Sequence, residues 1–381
     1  MTEVYNLSPA IRLMIMGLVV AMGPLAWVWL RNRKAPVARR LQVLTLVTLF
    51  LTFDLVIFGA FTRLTDSGLG CPDWPGCYGH ASPVGAQVHI ETAQTAMPTG
   101  PVTHSKAWIE MIHRYLATGV GVLILTLTAT SWLERKRIQI SPWWPTFTLI
   151  WVCLQGAFGA LTVTMKLFPA IVTMHLLGGL VLLALLKIQS VRYAQAQGEQ
   201  SAVPVSDRVR TLVLVTFALL WLQIALGGWV STNYAVLACT DFPSCQGSLW
   251  PAMDFKQGFT LWRELGAGRD GANISFQALT AIHYVHRLSA YIVFVAMLVL
   301  AARLNRIRAL RGQAQWLLGL ALLQVATGLG NVLLGWPMAA AVMHTGGAAA
   351  LVIVLTDMVF CTRAALNTVS ASKLSASRLT A

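Results

Sequence analysis

The chain alternates apolar runs of about 20 residues, long enough to cross a bilayer as helices, with polar segments. Nine such runs stand out, at roughly 11–30, 42–62, 111–133, 146–165, 169–188, 211–231, 284–302, 315–334 and 338–360. The polar segments at about 63–109 and 232–282 are too long to be simple turns. The first run has no small-residue cleavage site and leads directly into basic residues, so it reads as a retained span.

The pattern also repeats. Residues 59–79 (GAFTRLTDSGLGCPDWPGCYG) correspond to 227–247 (GGWVSTNYAVLACTDFPSCQG). Residues 110–114 (EMIHR) correspond to 283–287 (HYVHR), 155–164 to 324–333, and MHLLG from Met174 to MHTGG from Met343. These matches predict an all-α polytopic membrane protein. It would consist of two tandem four-helix bundles related by an internal parallel repeat, plus one extra N-terminal transmembrane helix. The expected boundaries are 1–41 for that helix and a basic segment, 42–190 for the N-terminal bundle, and 191–210 for a linker. The C-terminal bundle follows at 211–362, and a flexible tail at 363–381. A flexible stretch is expected at 93–103, and a short interfacial helix at 254–265.

Composition agrees with this picture: 56% of residues are hydrophobic and 11% charged. The net charge of +14 could suggest nucleic acid, but its placement argues otherwise. Arg31, Arg33, Lys34, Arg39, Arg40, Arg135, Lys136, Arg137, Lys187, Arg192, Arg208, Arg210, Arg303, Arg306, Arg308, Arg311, Arg363, Lys373 and Arg378 all fall on one side if every run spans. The positive-inside rule makes that side cytoplasmic. A bacterial cytoplasmic (inner) membrane location follows, with the N-terminus outside, the C-terminus inside and both cysteine-bearing loops outside. Disulfides Cys71–Cys77 and Cys239–Cys245 are expected in that oxidising setting. Zinc is the weaker reading, because the spacing exceeds that usual for zinc ligands.

His113, His175, His286 and His344 lie at matching positions in the two copies and at similar depth. Any one of them could simply hydrogen-bond within a bundle. Four at repeat-equivalent positions favour two sites, each with a pair of imidazoles gripping one heme iron. Gly119, Gly121, Gly156, Gly159, Gly178, Gly179, Gly328, Gly330, Gly346 and Gly347 could let a flat macrocycle approach, although glycines also serve plain helix packing. Arg114 and Arg287 could pair with heme propionates or snorkel to headgroups. The copies differ at Glu110, whose counterpart is His283. A carboxylate there is either a headgroup-level residue at a helix start or a buried acid suited to proton transfer. The asymmetry favours one reactive site and one electron-transfer heme. His80, His89 and His104 are expected to be solvated.

Together, residues 62–79, EMIHR at 110–114, MHLLGG from Met174, HYVHR at 283–287 and MHTGG from Met343 closely resemble the heme A synthase family, over about 42–360. The resemblance implies an eight-helix, two-bundle fold that oxidises a ring methyl of heme O to the formyl group of heme A for terminal cytochrome oxidase. It implies a b-type heme (iron) cofactor held by His286 and His344, and a substrate site with His113, His175 and the acidic Glu110. It associates Cys71 and Cys77 with redox behaviour and matches Cys239 and Cys245 to the second pair. The extra helix at 11–30 departs from that pattern. Implied partners are heme O, membrane lipid, a heme O synthase and cytochrome oxidase assembly factors. Nucleic acid is not expected, and a homo-oligomer is left open. Two other classes also fit the histidines: a diheme b-type electron-transfer protein, and a heme carrier or transporter.

Overall fold

The computed structural model describes residues 8–138, 140–268 and 272–364. Its helices are α1 (Ser8–Asn32), α2 (Val37–Leu64), α3 (Gln87–Ala96), α4 (His104–Leu133), α5 (Trp143–Thr164), α6 (Pro169–Ala196), α7 (Asp207–Thr232), α8 (Phe255–Gly258), α9 (Phe276–Asn305), α10 (Arg311–Leu333) and α11 (Met338–Cys361). Among the described residues, nine helices are long and apolar enough to cross a membrane, all except α3 and α8. The chain is thus an all-α, multi-pass membrane protein.

Several spans run past their apolar runs because polar residues start the helix earlier. Thr103 caps α4, its side chain accepting the N–H of Lys106 at 3.3 Å. Ser275 caps α9 in the same way through Ala278, at 3.2 Å. Each cap satisfies an otherwise orphaned donor of the first turn. Glu110 and His113 consequently lie well inside α4, as do His283 and His286 inside α9, rather than at helix starts.

The loops hold more structure than expected in one place and less in another. Helix α3 reaches into the stretch read as flexible. The helix anticipated at 254–265 is the single turn α8, capped by Asp254, which accepts the N–H of Gln257 at 2.9 Å.

Helix α2 packs on α4 and α6, and α5 packs on the same two helices. Helix α7 packs on α9 and α11, and α10 likewise. Helices α6 and α11 meet at the centre, with α2 against α11 and α6 against α7. Leu183 and Leu186 of α6 and Val352 and Leu355 of α11 are fully buried there. Polar contacts reinforce the same region: Thr173 and Thr232 hydroxyls lie 3.0 Å apart, and Lys187 pairs with Asp357 at 2.7 Å.

Helix α1 lies along α4. Gly17 receives the side chain of Thr118, and a methyl on Gly119 would meet Val20 at 2.8 Å. Gly119, a candidate macrocycle neighbour, therefore serves close helix approach. After α6, β1 (Val203–Val205) pairs in parallel with β2 (Thr362–Ala364). This ties the segment between the two halves to the end of α11. Of the tail expected to be flexible, residues 365–381 lie outside the described residues.

Candidate functional site

The two cysteine-bearing loops are built around their disulfides. Cys71 bonds Cys77 and Cys239 bonds Cys245, with Cα–Cα distances of 4.8 Å in both. Inside each ring an aspartate organises the turn. Asp73 accepts the N–H groups of Tyr78 and Gly79 at 2.6 and 2.7 Å. Asp241 accepts those of Gln246 and Gly247 at 2.8 and 2.9 Å and the hydroxyl of Ser244 at 2.5 Å. The Ser244 hydroxyl, and after it the Gly247 N–H, pull the Asp241 carboxyl down to about 2, because donors favour the charged acceptor. These contacts explain why Asp recurs two residues after the first cysteine in both copies.

The two arginines that follow the histidines clamp the loops. Arg114 Nη1 donates to the carbonyls of Asp73 and Pro75 at 3.0 and 3.2 Å and also to that of Gly76. Arg287 Nη1 donates to the carbonyls of Asp241 and Ser244 at 2.9 and 2.7 Å. Both side chains are buried. A guanidinium is always charged and carries several donors, so it can gather carbonyls that a tight turn leaves unpaired. These donors face loop backbone.

Glu110 joins the clamp of the first copy only. Its Oε1 accepts from Arg114 Nη2 at 2.5 Å and its Oε2 from the N–H of Cys71 at 2.7 Å. The carboxylate is buried at 4% exposure, so its charge is matched by a cation and a backbone donor instead of water. In the second copy, His283 Nδ1 lies 3.0 Å from the carbonyl of Ala235, and Arg287 Nη2 turns to the carbonyl of Cys239 at 3.4 Å.

Each of the four paired histidines is partly buried, and each sits against a glycine on a neighbouring helix. A methyl on Gly59 of α2 would lie 3.1 Å from Nε2 of His113, and one on Gly159 of α5 would lie 3.5 Å from Cε1 of His175. In the second half, a methyl on Gly227 of α7 would lie 2.9 Å from Cε1 of His286, and one on Gly328 of α10 3.3 Å from Cε1 of His344. The rings occupy space that any side chain would fill. His113 and His175 are within electrostatic reach of each other, as are His286 and His344. Nδ1 of His175 is buried without a hydrogen-bond partner among the described residues. Two imidazoles in each half, every one on a glycine seat, make a donor set that fits a heme iron.

The remaining glycines separate into groups. Gly178 and Gly347 receive the amides of Gln155 and Gln324, while Gly179 and Gly346 face Val56 and Ile57 of α2. They serve packing. The sequence reading missed Gly59 and Gly227, although both open the repeated motif, and it gave no role to Gln223 or Thr327, which contact His286 and His344. Glycine–histidine pairing at equivalent places in the two copies was the available signal. His80 and His89 are exposed. His89 stacks on Tyr78, with ring centroids 5.3 Å apart, and His104 is half-buried.

Comparison with known proteins gives the same pairing of loop and helix motifs a family. The COX15-CtaA family profile, described as a cytochrome oxidase assembly protein, matches residues 42–356. A heme A synthase of Shewanella oneidensis is 38% identical over 313 residues, covering 82% of this chain and 93% of that protein. A heme A synthase of Caulobacter vibrioides is 27% identical over 354 residues, covering 85% and 95%. One of Halalkalibacterium halodurans is 23% identical over 312 residues, covering 80% and 91%. The chain belongs to the COX15-CtaA family of cytochrome oxidase assembly proteins, among the heme A synthases.

Proposed function

We propose that this membrane oxidoreductase converts heme O to heme A by oxidising one ring methyl to a formyl group. In this reading the N-terminal bundle holds the substrate between His113 and His175, and the C-terminal bundle holds heme b between His286 and His344. The observation that carries it is the pairing of four histidines with four glycine seats at equivalent places in two copies of one motif. A diheme electron-transfer protein would need the same seats, but it would not need the buried acid at one copy only, and family membership favours the enzyme. Two four-helix halves with the boundaries given above, cysteine loops on the outer face of a bacterial inner membrane, and a heme O synthase as upstream partner belong to the same proposal.

With water as oxygen source, turning a methyl into a formyl group releases four electrons and four protons. When bound, heme b supplies a one-electron relay toward an acceptor. Glu110 lies three residues before His113 on the same face of α4. Its carboxylate would take up protons leaving the methyl and oppose positive charge developing beside it. Arg114 and the Cys71 N–H hold that carboxylate in place. Arg114 and Arg287 hold the cysteine loops against α4 and α9. The apolar tail of heme O suits entry from lipid.

The test is mass-resolved chromatography of hemes extracted from the full chain after co-expression with a heme O synthase. Heme B together with heme A, or with hydroxylated heme O, is the expected result. Heme B alone, at about two per chain, would replace this reading with the diheme one. Isotope labelling tests the oxygen source: formyl oxygen from O2, with exchange controlled, would exclude the water route.

A further inference from the structure

The two halves differ at the imidazole nitrogen that a metal does not use. Thr327 Oγ1 on α10 lies 2.9 Å from Nδ1 of His344 on α11. The same hydroxyl lies 2.7 Å from the carbonyl of Leu323, one turn earlier. A hydroxyl has one proton and two lone pairs. Donated to Leu323, that proton leaves Oγ1 an acceptor toward the ring, so Nδ1 carries the hydrogen. Nε2 is then the unprotonated nitrogen, the form that ligates iron.

The first copy lacks this arrangement. Residues 155–159 align with 324–328, which puts Phe158 at the position of Thr327. A phenyl ring offers no acceptor of this kind, and His175 Nδ1 is buried without a hydrogen-bond partner among the described residues. The other pair also differs, here through a donor and not an acceptor. The amide nitrogen of Gln223 lies 3.1 Å from Nδ1 of His286, 3.4 Å from its Nε2 and 3.2 Å from its carbonyl oxygen, while the aligned position in the first copy is Leu55. His113 instead stacks on Phe58, with centroids 6.3 Å apart and planes 11° apart. A polar neighbour in the second copy is thus apolar in the first, twice.

We propose that Thr327 is a positioning residue that makes His344 a fixed, electron-rich ligand, and that Phe158 leaves His175 a weaker and more easily released one. The C-terminal pocket then retains its heme while the N-terminal pocket lets its heme go. The proposal rests on the reading of these histidines as heme ligands. A hydrogen bond from Nδ1–H fixes the tautomer and raises the basicity of Nε2. That favours ferric iron and slow exchange, as a resident cofactor needs. A substrate that must leave as product is better served by a looser grip.

The experiment compares Thr327→Val, which removes the hydroxyl, with Thr327→Ser, which keeps it, by redox titration of heme b in the purified full chain. The expected loss in Thr327→Val is about tenfold in preference for ferric iron, a shift of about 59 mV to more positive potential for a one-electron couple, with Thr327→Ser close to wild type. In Phe158→Thr, transfer of the N-terminal heme to excess apomyoglobin should slow about tenfold. A heme-free Thr327→Val beside a loaded Thr327→Ser also supports the proposal. An unshifted potential in Thr327→Val, or loss of heme in both variants, overturns it. His344→Ala separates the two levels: an unchanged low-spin heme b signal there would remove the ligand assignment itself, and this inference with it. Loss of that signal beside an unshifted Thr327→Val would remove only the tuning role.

Discussion

Glu110 Oε2 accepts the backbone N–H of Cys71 at 2.7 Å, so the acidic residue of α4 is fastened to the disulfide of the first cysteine loop. Its other oxygen is fastened to Arg114 on its own helix. One buried carboxylate thereby links loop closure to the face of α4 that carries His113. The second copy has no carboxylate to do this.

Glu110→Gln tests chemistry apart from structure. Glutamine keeps one acceptor, enough for Arg114, but turns its NH2 toward the Cys71 N–H and cannot take up a proton. The variant should bind heme at wild-type stoichiometry and unfold at a lower temperature than wild type, yet form no heme A. Normal product formation would remove Glu110 from the reaction.

The two arginines should differ in structural weight. Arg287→Met removes three charge-assisted bonds to loop carbonyls, the one to Cys239 being long, each worth roughly 1.5–3 kcal/mol at most. Arg114→Met also strands the buried Glu110 charge, a change that costs about 3–5 kcal/mol for a buried pair. Thermal unfolding in detergent should therefore rank Arg114→Met below Arg287→Met. Heme content close to wild type in Arg287→Met would support the loop-clamp role; selective heme loss with an unchanged unfolding temperature would point to propionate binding.

Acid should open the second cysteine loop late. The Asp241 carboxyl is depressed to about 2 from an ordinary 3.8. The contribution of a depressed carboxylate is complete above its unfolded value and disappears as pH falls through its folded value. Exchange of the Gln246 and Gly247 amides should stay slow down to about pH 4 and accelerate toward about pH 2. Asp241→Asn should remove that dependence. A transition near pH 6 would mean that another group controls the loop.

The glycine seats can be tested against a neighbour. Gly227→Ala places a methyl 2.9 Å from the His286 ring, whereas the nearest side-chain atom to one on Gly179 would be 3.8 Å away. Alanine is the better helix former by about 1 kcal/mol, so neither change should weaken its helix intrinsically. Gly227→Ala should lose heme b absorbance while Gly179→Ala retains it. Equal heme content in the two would show that the seat is not required.

Much of this molecule was legible before folding. Bilayer thickness demands long apolar runs, and these runs set the nine spans with small errors at their ends. Polar caps at Thr103 and Ser275 account for the early starts of α4 and α9. The repeated loop motif and the paired histidines are local strings, so a single sequence displays them. Rotation of each helix about its own axis is a different matter. Lipid is as apolar as the interior of the bundle, so hydropathy along a span hardly marks which face turns inward. That Gly59 and Gly227 receive histidine rings, that Arg114 reaches carbonyls near Asp73, and that Thr327 meets His344 all depend on such rotations. Each joins residues on different elements, and only the packed tertiary structure brings them within hydrogen-bond or van der Waals distance.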